Sequence, residues 1–347
     1  MRAVVFAGAR TVRVDSVPEP EIQAPTDVLV RTSLCGICGT DLHLIAGDFP
    51  GMEAGVVLGH ELVGEVVETG AAVRHVRVGD RVFASDFTAC GHCRWCDRGD
   101  HWECAERAFF GSGQTFGPAL AGAQAELVRV PFADTVLLAV PDGTSDEVAI
   151  LLADNLPTGW AAVERSALRP GETVVIVGGG AIGQLASLCV QAAGAGVVVV
   201  VEPDAARRSF ATAHGALAAT PDEAADLVGS ITGGDGADVV VEAVGRDGTL
   251  SLAFELVRRR GRIVAVGAHA SQRWSLPLTD SFVRELSLSF AIGDAMRTRR
   301  ELLRLLQAGT LDPGDLVTRR VTFAAAPAAY ADVADQRALK LVIDPRA

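Results

Sequence analysis

Positive charge is the scarcer sign in this 347-residue chain: 31 lysines and arginines stand against 43 aspartates and glutamates, a net charge of -12. Binding to a phosphate backbone draws on a basic surface, so nucleic acid is not expected as a partner, and no basic stripe restores the idea. Arg258-Arg259-Arg260 reads as the end of a helix, where cations suit the dipole, and Arg297 to Arg300 as the solvated face of another helix. Long hydrophobic runs are missing as well. Val197 to Val201 has the length of a strand, whereas a membrane helix needs about 20 apolar residues. The start, Met1 to Gly8, has one positive charge and an apolar run too short for a signal peptide, so a cytoplasmic protein without a membrane partner is expected. Aromatic residues make up only 5% of the chain. Phe49, Phe87, Phe109, Phe110 and Trp274 are candidates for an apolar pocket, but each serves equally well as core filler.

What the chain does have is glycine, 37 residues of it, within a composition about half apolar. That is the mark of a globular α/β protein, and the length suffices for two domains with separate cores.

The stretch Val174-Val175-Ile176-Val177-Gly178-Gly179-Gly180-Ala181-Ile182-Gly183 reads as a buried strand, a tight turn and the start of a helix. Its glycines have the G-x-G-x-x-G spacing of a dinucleotide site. Gly178 permits the turn, Gly180 lets backbone approach a pyrophosphate, and Gly183 lets helix and strand pack closely. The helix N-terminus, at Ala181 and Ile182, then faces the phosphates. A second strand, Val197 to Val201, ends in Glu202, about 20 residues past the glycines, where an acid grips a ribose diol. Glu202 would repel a 2′-phosphate, which favours NAD over NADP; Arg207 and Arg208 lie nearby and soften that preference. Further strands are expected at Asp238 to Glu242, Arg262 to Gly267 and Leu286 to Phe290. The last presents an exposed edge suited to pairing with a second copy of the chain.

Seven cysteines in a chain of this kind point to metal or catalysis before disulfides. Cys90, Cys93, Cys96 and Cys104 have the spacing of a closed four-thiolate zinc lobe, with no open coordination position and hence a structural role. His92 and His101 lie in the same segment as less favoured ligands. Upstream, Cys35-Gly36-Ile37-Cys38-Gly39-Thr40-Asp41-Leu42-His43 and Gly59-His60-Glu61 offer a thiolate, a hydroxyl, two imidazoles and carboxylates. Cys35 and Cys189 read as buried filler.

The order of these motifs resembles the zinc-dependent medium-chain alcohol dehydrogenases over essentially the whole chain. The resemblance implies a Rossmann doubly wound parallel sheet inserted into a β-rich GroES-like catalytic domain: residues 1–156, with the zinc lobe at about 86–108, then a dinucleotide-binding domain at 157–292 and a return to the catalytic domain at 293–347. It also implies a catalytic zinc held by Cys38, His60 and Asp154, with Glu61 behind it as an occasional ligand. Asp154, in Leu152 to Trp160, stands where many members have cysteine. That departure, with Gln124 to Leu127 and Pro131 to Asp134, is similar to the branch of glutathione-independent formaldehyde dehydrogenases. By the same carry-over Thr40 holds the substrate oxygen, His43 passes its proton toward solvent, and Asp41 orients His60. Val244 and Arg246 line the adenosine pocket and Val266 lies by the nicotinamide. Gly39 replaces a basic residue found in other members, and Lys340 is either the group that makes up for it or a solvated lysine.

The expected activity is hydride transfer between an alcohol, or an aldehyde or ketone, and NAD, by a homo-oligomer, with a tetramer favoured over a dimer, carrying two zinc ions per chain. A polyol dehydrogenase or a biosynthetic oxidoreductase on a larger substrate is the alternative within enzymes. Outside them stand an NAD-binding sensor, which has no need of Cys38, His60 and Asp154 together, and a zinc-ribbon nucleic-acid binder, which leaves the glycine turn unexplained.

Overall fold

In the computed structural model, which describes residues 1–347, the alternating N-terminal runs become strands, and the chain divides into two units. The first comprises Met1–Asp154, Asp294–Arg299 and Gly314–Ala347. Its main sheet runs, from edge to edge, through Val317–Thr322, Lys340–Asp344, Val28–Ile37, Leu62–Thr69, Arg81–Ala84 and Leu137–Ala139, with Leu127–Val130 also on Val28–Ile37. Arg2–Gly8 and Thr11–Ser16 form a separate antiparallel pair. Alternate residues such as Val28, Val30, Leu62, Val66, Val82 and Val128 point into one buried cluster, as period-2 patterning requires.

Register places the chemistry. Cys35 lies opposite Leu62 and Ile37 opposite Leu341. Cys38, just past the end of one strand, is thereby brought to the same end of the sheet as His60 and Glu61, just before the start of the next. Cys38 then caps the helix Gly39–Ala46, with Asp41 closing a capping box back onto it, the reciprocal arrangement that satisfies the free N–H groups of a helix start.

The second unit comprises Asn155–Gly293 and Arg300–Pro313. Its six parallel strands run in the order Leu217–Ala219, Val197–Val201, Thr173–Val177, Ala237–Glu242, Val257–Ala265 and Ser287–Phe290. This is the strand order 3-2-1-4-5-6 of a doubly wound sheet. Val174, Val175, Ile176, Val198, Val199 and Val200 are all fully or nearly fully buried, so the sheet is covered on both faces and its strands are continuous apolar runs.

Three expectations need correction. Arg258 to Arg260 do not end a helix: the helix Asp247–Leu256 stops before them and they open the strand Val257–Ala265, where Arg260 has φ 58° and the ladder is bulged. Pairing with Ala237 outweighs helix continuation there, and Arg258 is held by Asp238 at 2.7 Å. The helix that carries Arg297 to Arg300 spans Ala295–Gln307, and these arginines are not all solvated as expected. Arg299 is 5% exposed and donates to the carbonyls of Val136 and Thr135 at 2.7 and 2.6 Å, serving the unmet carbonyls of the short helix Ala133–Val136. The boundary expected at 293 is also too simple, because Asp294–Arg299 group with the first unit while Arg300–Pro313 group with the second.

Candidate metal centres and nucleotide site

Cys90, Cys93, Cys96 and Cys104 come together with their sulfurs within 4.8 Å of one another. Zinc binds thiolate at about 2.3 Å, which makes the edge of a tetrahedron about 3.8 Å. The Cys90–Cys96 and Cys93–Cys96 sulfurs are 3.9 and 3.6 Å apart, so the set fits a tetrahedral ion. Hydrogen bonding from the Cys96 N–H holds Cys93 down at about 6, and burial pushes Cys96 up to about 12. His92 lies 2.9 Å from the Cys90 carbonyl and His101 3.0 Å from Asp294, so neither joins the thiolates.

The second cluster is Cys38, His60, Glu61 and Asp154, again with donor atoms within 4.8 Å of one another. Asp154 Oδ2 is 3.6 Å from Cys38 Sγ and 3.4 Å from His60 Nε2. The His60 separation is long for a hydrogen bond, and the thiol–carboxylate one is that of a weak sulfur hydrogen bond. They match the tetrahedral edges of a zinc bound to sulfur, nitrogen and oxygen, about 3.6 and about 3.3 Å. Burial pushes Cys38, Glu61 and Asp86 toward their protonated forms, and the charge of Asp154 adds to each. Burial opposes charging of His60, but the Asp41 and Asp154 carboxylates outweigh it and hold the imidazole well above its usual range. A pocket of donors that repel one another until protonated fits a cation.

The supporting residues are equally specific. Asp41 places Oδ1 3.2 Å from His60 Nδ1 and accepts from the Cys38 N–H at 2.9 Å, which leaves Nε2 for an ion. Thr40 Oγ1 lies 4.0 Å from Cys38 Sγ. His43 Nδ1 is 2.7 Å from Asp48, a partner that sequence reading did not single out. Cys35 and Cys189 are both fully buried, with burial raising each thiol.

In the second unit Gly178 has φ +103°, and a Cβ on Gly183 would lie 1.8 Å from the Gly178 carbonyl oxygen, so no side chain fits there. At Gly180 an added Cβ would meet only Arg207, at 3.8 Å. The turn is therefore open toward a ligand at Gly180 and closed at Gly183. The helix Ala181–Ala192 has no side-chain cap, which leaves its first N–H groups for an anion. Glu202 accepts from Gly179 N–H at 2.7 Å and Asp204 N–H at 3.0 Å. Its carboxylate is thus fixed beside the turn. Val244 donates its N–H to Glu242, Arg246 is exposed at the start of Asp247–Leu256, and Val266 is buried at the end of its strand.

Residues 24–142 match the alcohol dehydrogenase GroES-like domain and residues 181–308 the zinc-binding dehydrogenase domain. A "probable zinc-binding alcohol dehydrogenase" of Mycobacterium tuberculosis is 40% identical over 332 residues, covering 95% of this chain and 85% of that one. This chain belongs to the zinc-dependent medium-chain alcohol dehydrogenases. It is an oxidoreductase with a GroES-like unit and a Rossmann unit. Among solved structures, an alcohol dehydrogenase from Thermus sp. ATN1 superposes on the dehydrogenase with a TM-score of 0.93 at 36% identity, covering 99% of both chains. A zinc-binding dehydrogenase from Sinorhizobium meliloti 1021, bound to NADP, gives 0.86 at 30% identity, again covering 99% of both.

Lys340 in this dehydrogenase is not solvated. It is 2% exposed, with Nζ 2.5 Å from Glu61 Oε1 and 3.2 Å from the Ile37 carbonyl. The register of Lys340–Asp344 on Val28–Ile37 dictates that position, which sequence spacing could not reveal. Trp274, an aromatic candidate, lies in the Rossmann unit against Phe254. Two others that sequence reading passed over, Trp102 and Phe116, stand beside Phe109, whose ring is 4.9 Å from that of His60. Their scarcity in the chain was the only available signal.

Proposed function

We propose that the chain oxidises alcohols, or reduces the matching carbonyl compounds, with NAD, and carries two zinc ions. One would be held by Cys38, His60 and Asp154 and the other by Cys90, Cys93, Cys96 and Cys104. The observation that carries this is the pair of Asp154 separations from Cys38 and His60, 3.6 and 3.4 Å. Three protein donors of mixed type leave a coordination position for substrate, as in catalytic rather than structural sites. Zinc there supplies Lewis acidity to the substrate oxygen.

The chain's own residues do the rest. Thr40, on the first turn of the helix that Cys38 caps, accepts a hydrogen bond from the substrate hydroxyl. His43, steadied by Asp48, delivers the proton to solvent. Asp41 fixes the tautomer and angle of His60. In the Rossmann unit, Gly180 and the N-terminus at Ala181 and Ile182 receive the pyrophosphate, while Glu202 takes the ribose diol. Arg208 is tied to the carbonyls of Glu202 and Pro203 at 2.8 and 2.7 Å, and the buried Glu202 carboxylate beside the glycine turn would repel a 2′-phosphate. That arrangement supports NAD over NADP, although the S. meliloti relative was solved with NADP.

A homo-oligomer belongs to the same reading. Phe282, Phe290 and Ile292 are 84, 60 and 49% exposed around the edge strand Ser287–Phe290, an apolar margin that a second copy would cover. No helix is long and apolar enough to cross a membrane, and all seven cysteines are free, which supports a reducing, cytoplasmic setting.

Metal analysis together with nicotinamide absorbance tests the reading. Two zincs per chain and turnover of alcohols with NAD are expected. Full metallation with no turnover on a broad alcohol and aldehyde panel would refute it.

A further inference from the structure

Resting on the reading of Cys38, His60 and Asp154 as a metal centre, we propose that Gln124 is a positioning residue for it: one buried amide sets the spacing of the Cys38 and His60 segments, and Tyr330 fixes which way that amide faces. Strand register brings the two segments to one end of the sheet, but both ligands lie beyond the strands themselves. Cys38 follows the last residue of Val28–Ile37, and His60 precedes Leu62–Thr69. Between them the Gly36 N–H reaches the Glu61 carbonyl only at 3.3 Å.

Gln124 bridges this gap. Its side chain is sealed from solvent, and Nε2 donates to the Gly36 carbonyl, two residues before Cys38, at 2.8 Å. The stem of the same side chain lies on Gly59, one residue before His60. A Cβ on Gly59 would sit 2.4 Å from Gln124 Cγ, and the turn there has φ +88°. One side chain therefore touches the backbone on the approach to each ligand. Its own backbone is held independently. The N–H groups of Ala123 and Gln124 donate to the carbonyls of Gly59 and Leu58 at 2.8 and 2.9 Å, and the Gln124 carbonyl accepts from Val4 N–H at 2.8 Å.

Tyr330 decides the orientation of the amide. A primary amide can present either its oxygen or its NH2 group, and the Gly36 carbonyl can only accept. Nε2 must face it, which turns Oε1 toward the Tyr330 hydroxyl, a donor at 2.9 Å. The reversed amide would set two oxygens against each other. Tyr330 is the only tyrosine in the chain and is 3% exposed. Burial pushes its phenol well above the usual range, so the hydroxyl keeps the proton it donates. The contact runs from the helix Ala326–Ala334 through Gln124 to the Cys38 segment, a buried network in which each group depends on the next.

The test follows zinc release from the two-zinc holoenzyme to excess 4-(2-pyridylazo)resorcinol, with Cys38→Ser protein identifying the phase that belongs to the four-thiolate lobe. Gln124→Leu removes both hydrogen bonds at nearly constant volume, and Tyr330→Phe removes the hydroxyl alone. In Gln124→Leu the Cys38 centre should lose its ion about tenfold faster or more, the scale on which supporting partners of metal ligands act. The lobe should release at the wild-type rate. Tyr330→Phe should accelerate the same phase by about threefold or more, and both variants should alter the visible absorption of the cobalt-substituted centre. Wild-type release with an unaltered cobalt spectrum in either variant would overturn the assignment. So would equal acceleration of both phases, the result of a general loosening of the unit. A wild-type enzyme that holds zinc in the lobe alone would overturn the metal-centre reading and this inference together.

Discussion

Lys340, the only lysine in the chain, places its ammonium 2.5 Å from Glu61 Oε1 where both side chains are sealed from solvent. Everywhere else the sequence uses arginine. A compact ammonium on a flexible stem reaches a single carboxylate oxygen and the Ile37 carbonyl together. The pair neutralises a carboxylate directly behind the Cys38, His60 and Asp154 centre.

Removing one member of a buried pair leaves the other uncompensated, at a cost of roughly 3–5 kcal/mol. Lys340→Met should lose about that much in urea denaturation of the zinc-loaded protein, and Lys340→Met with Glu61→Gln should recover a good part of it. Freed of Lys340, Glu61 should also alter the visible absorption of the cobalt-substituted enzyme. A stable single mutant with an unaltered cobalt spectrum would contradict the role given to the pair.

The two metal sites should be separable. Cys38→Ser is expected to lower zinc from two to one per chain and to abolish turnover, while Cys96→Ser also loses one zinc but is expected to lower the melting temperature far more. A structural zinc contributes folding free energy directly. Atomic absorption with thermal denaturation distinguishes these outcomes.

Gly180 and Gly183 predict opposite failures. At Gly183 an alanine Cβ would sit 1.8 Å from a backbone oxygen, so Gly183→Ala should destabilise the Rossmann unit itself. At Gly180 the space is open except for Arg207 at 3.8 Å, so Gly180→Ala should fold with a near-normal melting temperature yet bind NADH at least tenfold more weakly. Fluorescence titration beside a melting curve checks both.

Edge-strand apolar residues should set assembly. Phe290→Asp, which places charge on a 60% exposed edge position, is expected to shift sedimentation toward the monomer. An unchanged sedimentation coefficient would contradict the proposed edge-strand interface.

Acid should weaken one contact at the C-terminal strand. Burial opposes ionisation of Asp344, but the Arg346 N–H at 2.9 Å and the guanidiniums of Arg346 and Arg320 outweigh it and hold the carboxyl below its usual range. A lowered folded pKa stabilises at pH above the ordinary carboxylate value of about 3.9 and is lost as pH falls through the folded value. Asp344→Asn should therefore cost about 0.5–1 kcal/mol near neutrality, partners this exposed being screened, and least at strongly acid pH, below the lowered folded value. Denaturation series at the two pH values test this.

Local pattern was enough to read the two-unit plan, the buried strands around the glycine turn and the four-cysteine lobe, because each rests on spacing within a few residues: period-2 burial, the Gly178 to Gly183 turn, and thiolates that short gaps deliver to one ion. Cys38, His60 and Asp154 could be named only through family resemblance, since no local rule joins residues spread over 116 positions. Strand register joins the first two, aligning Cys35 with Leu62 so that the two loop ends meet, and the Asp86 N–H on the Ala153 carbonyl holds Asp154 in place beside them. The same kind of long-range pairing buried Lys340 on Glu61, seated Arg299 on the carbonyls of Val136 and Thr135, turned Arg258 to Arg260 into a strand, and gathered Trp102 and Phe116 around Phe109. Sequence determined which elements form and which chemical groups are available. Tertiary packing decided which of those groups face one another, because burial, not proximity along the chain, sets the partners of a charge or a ring.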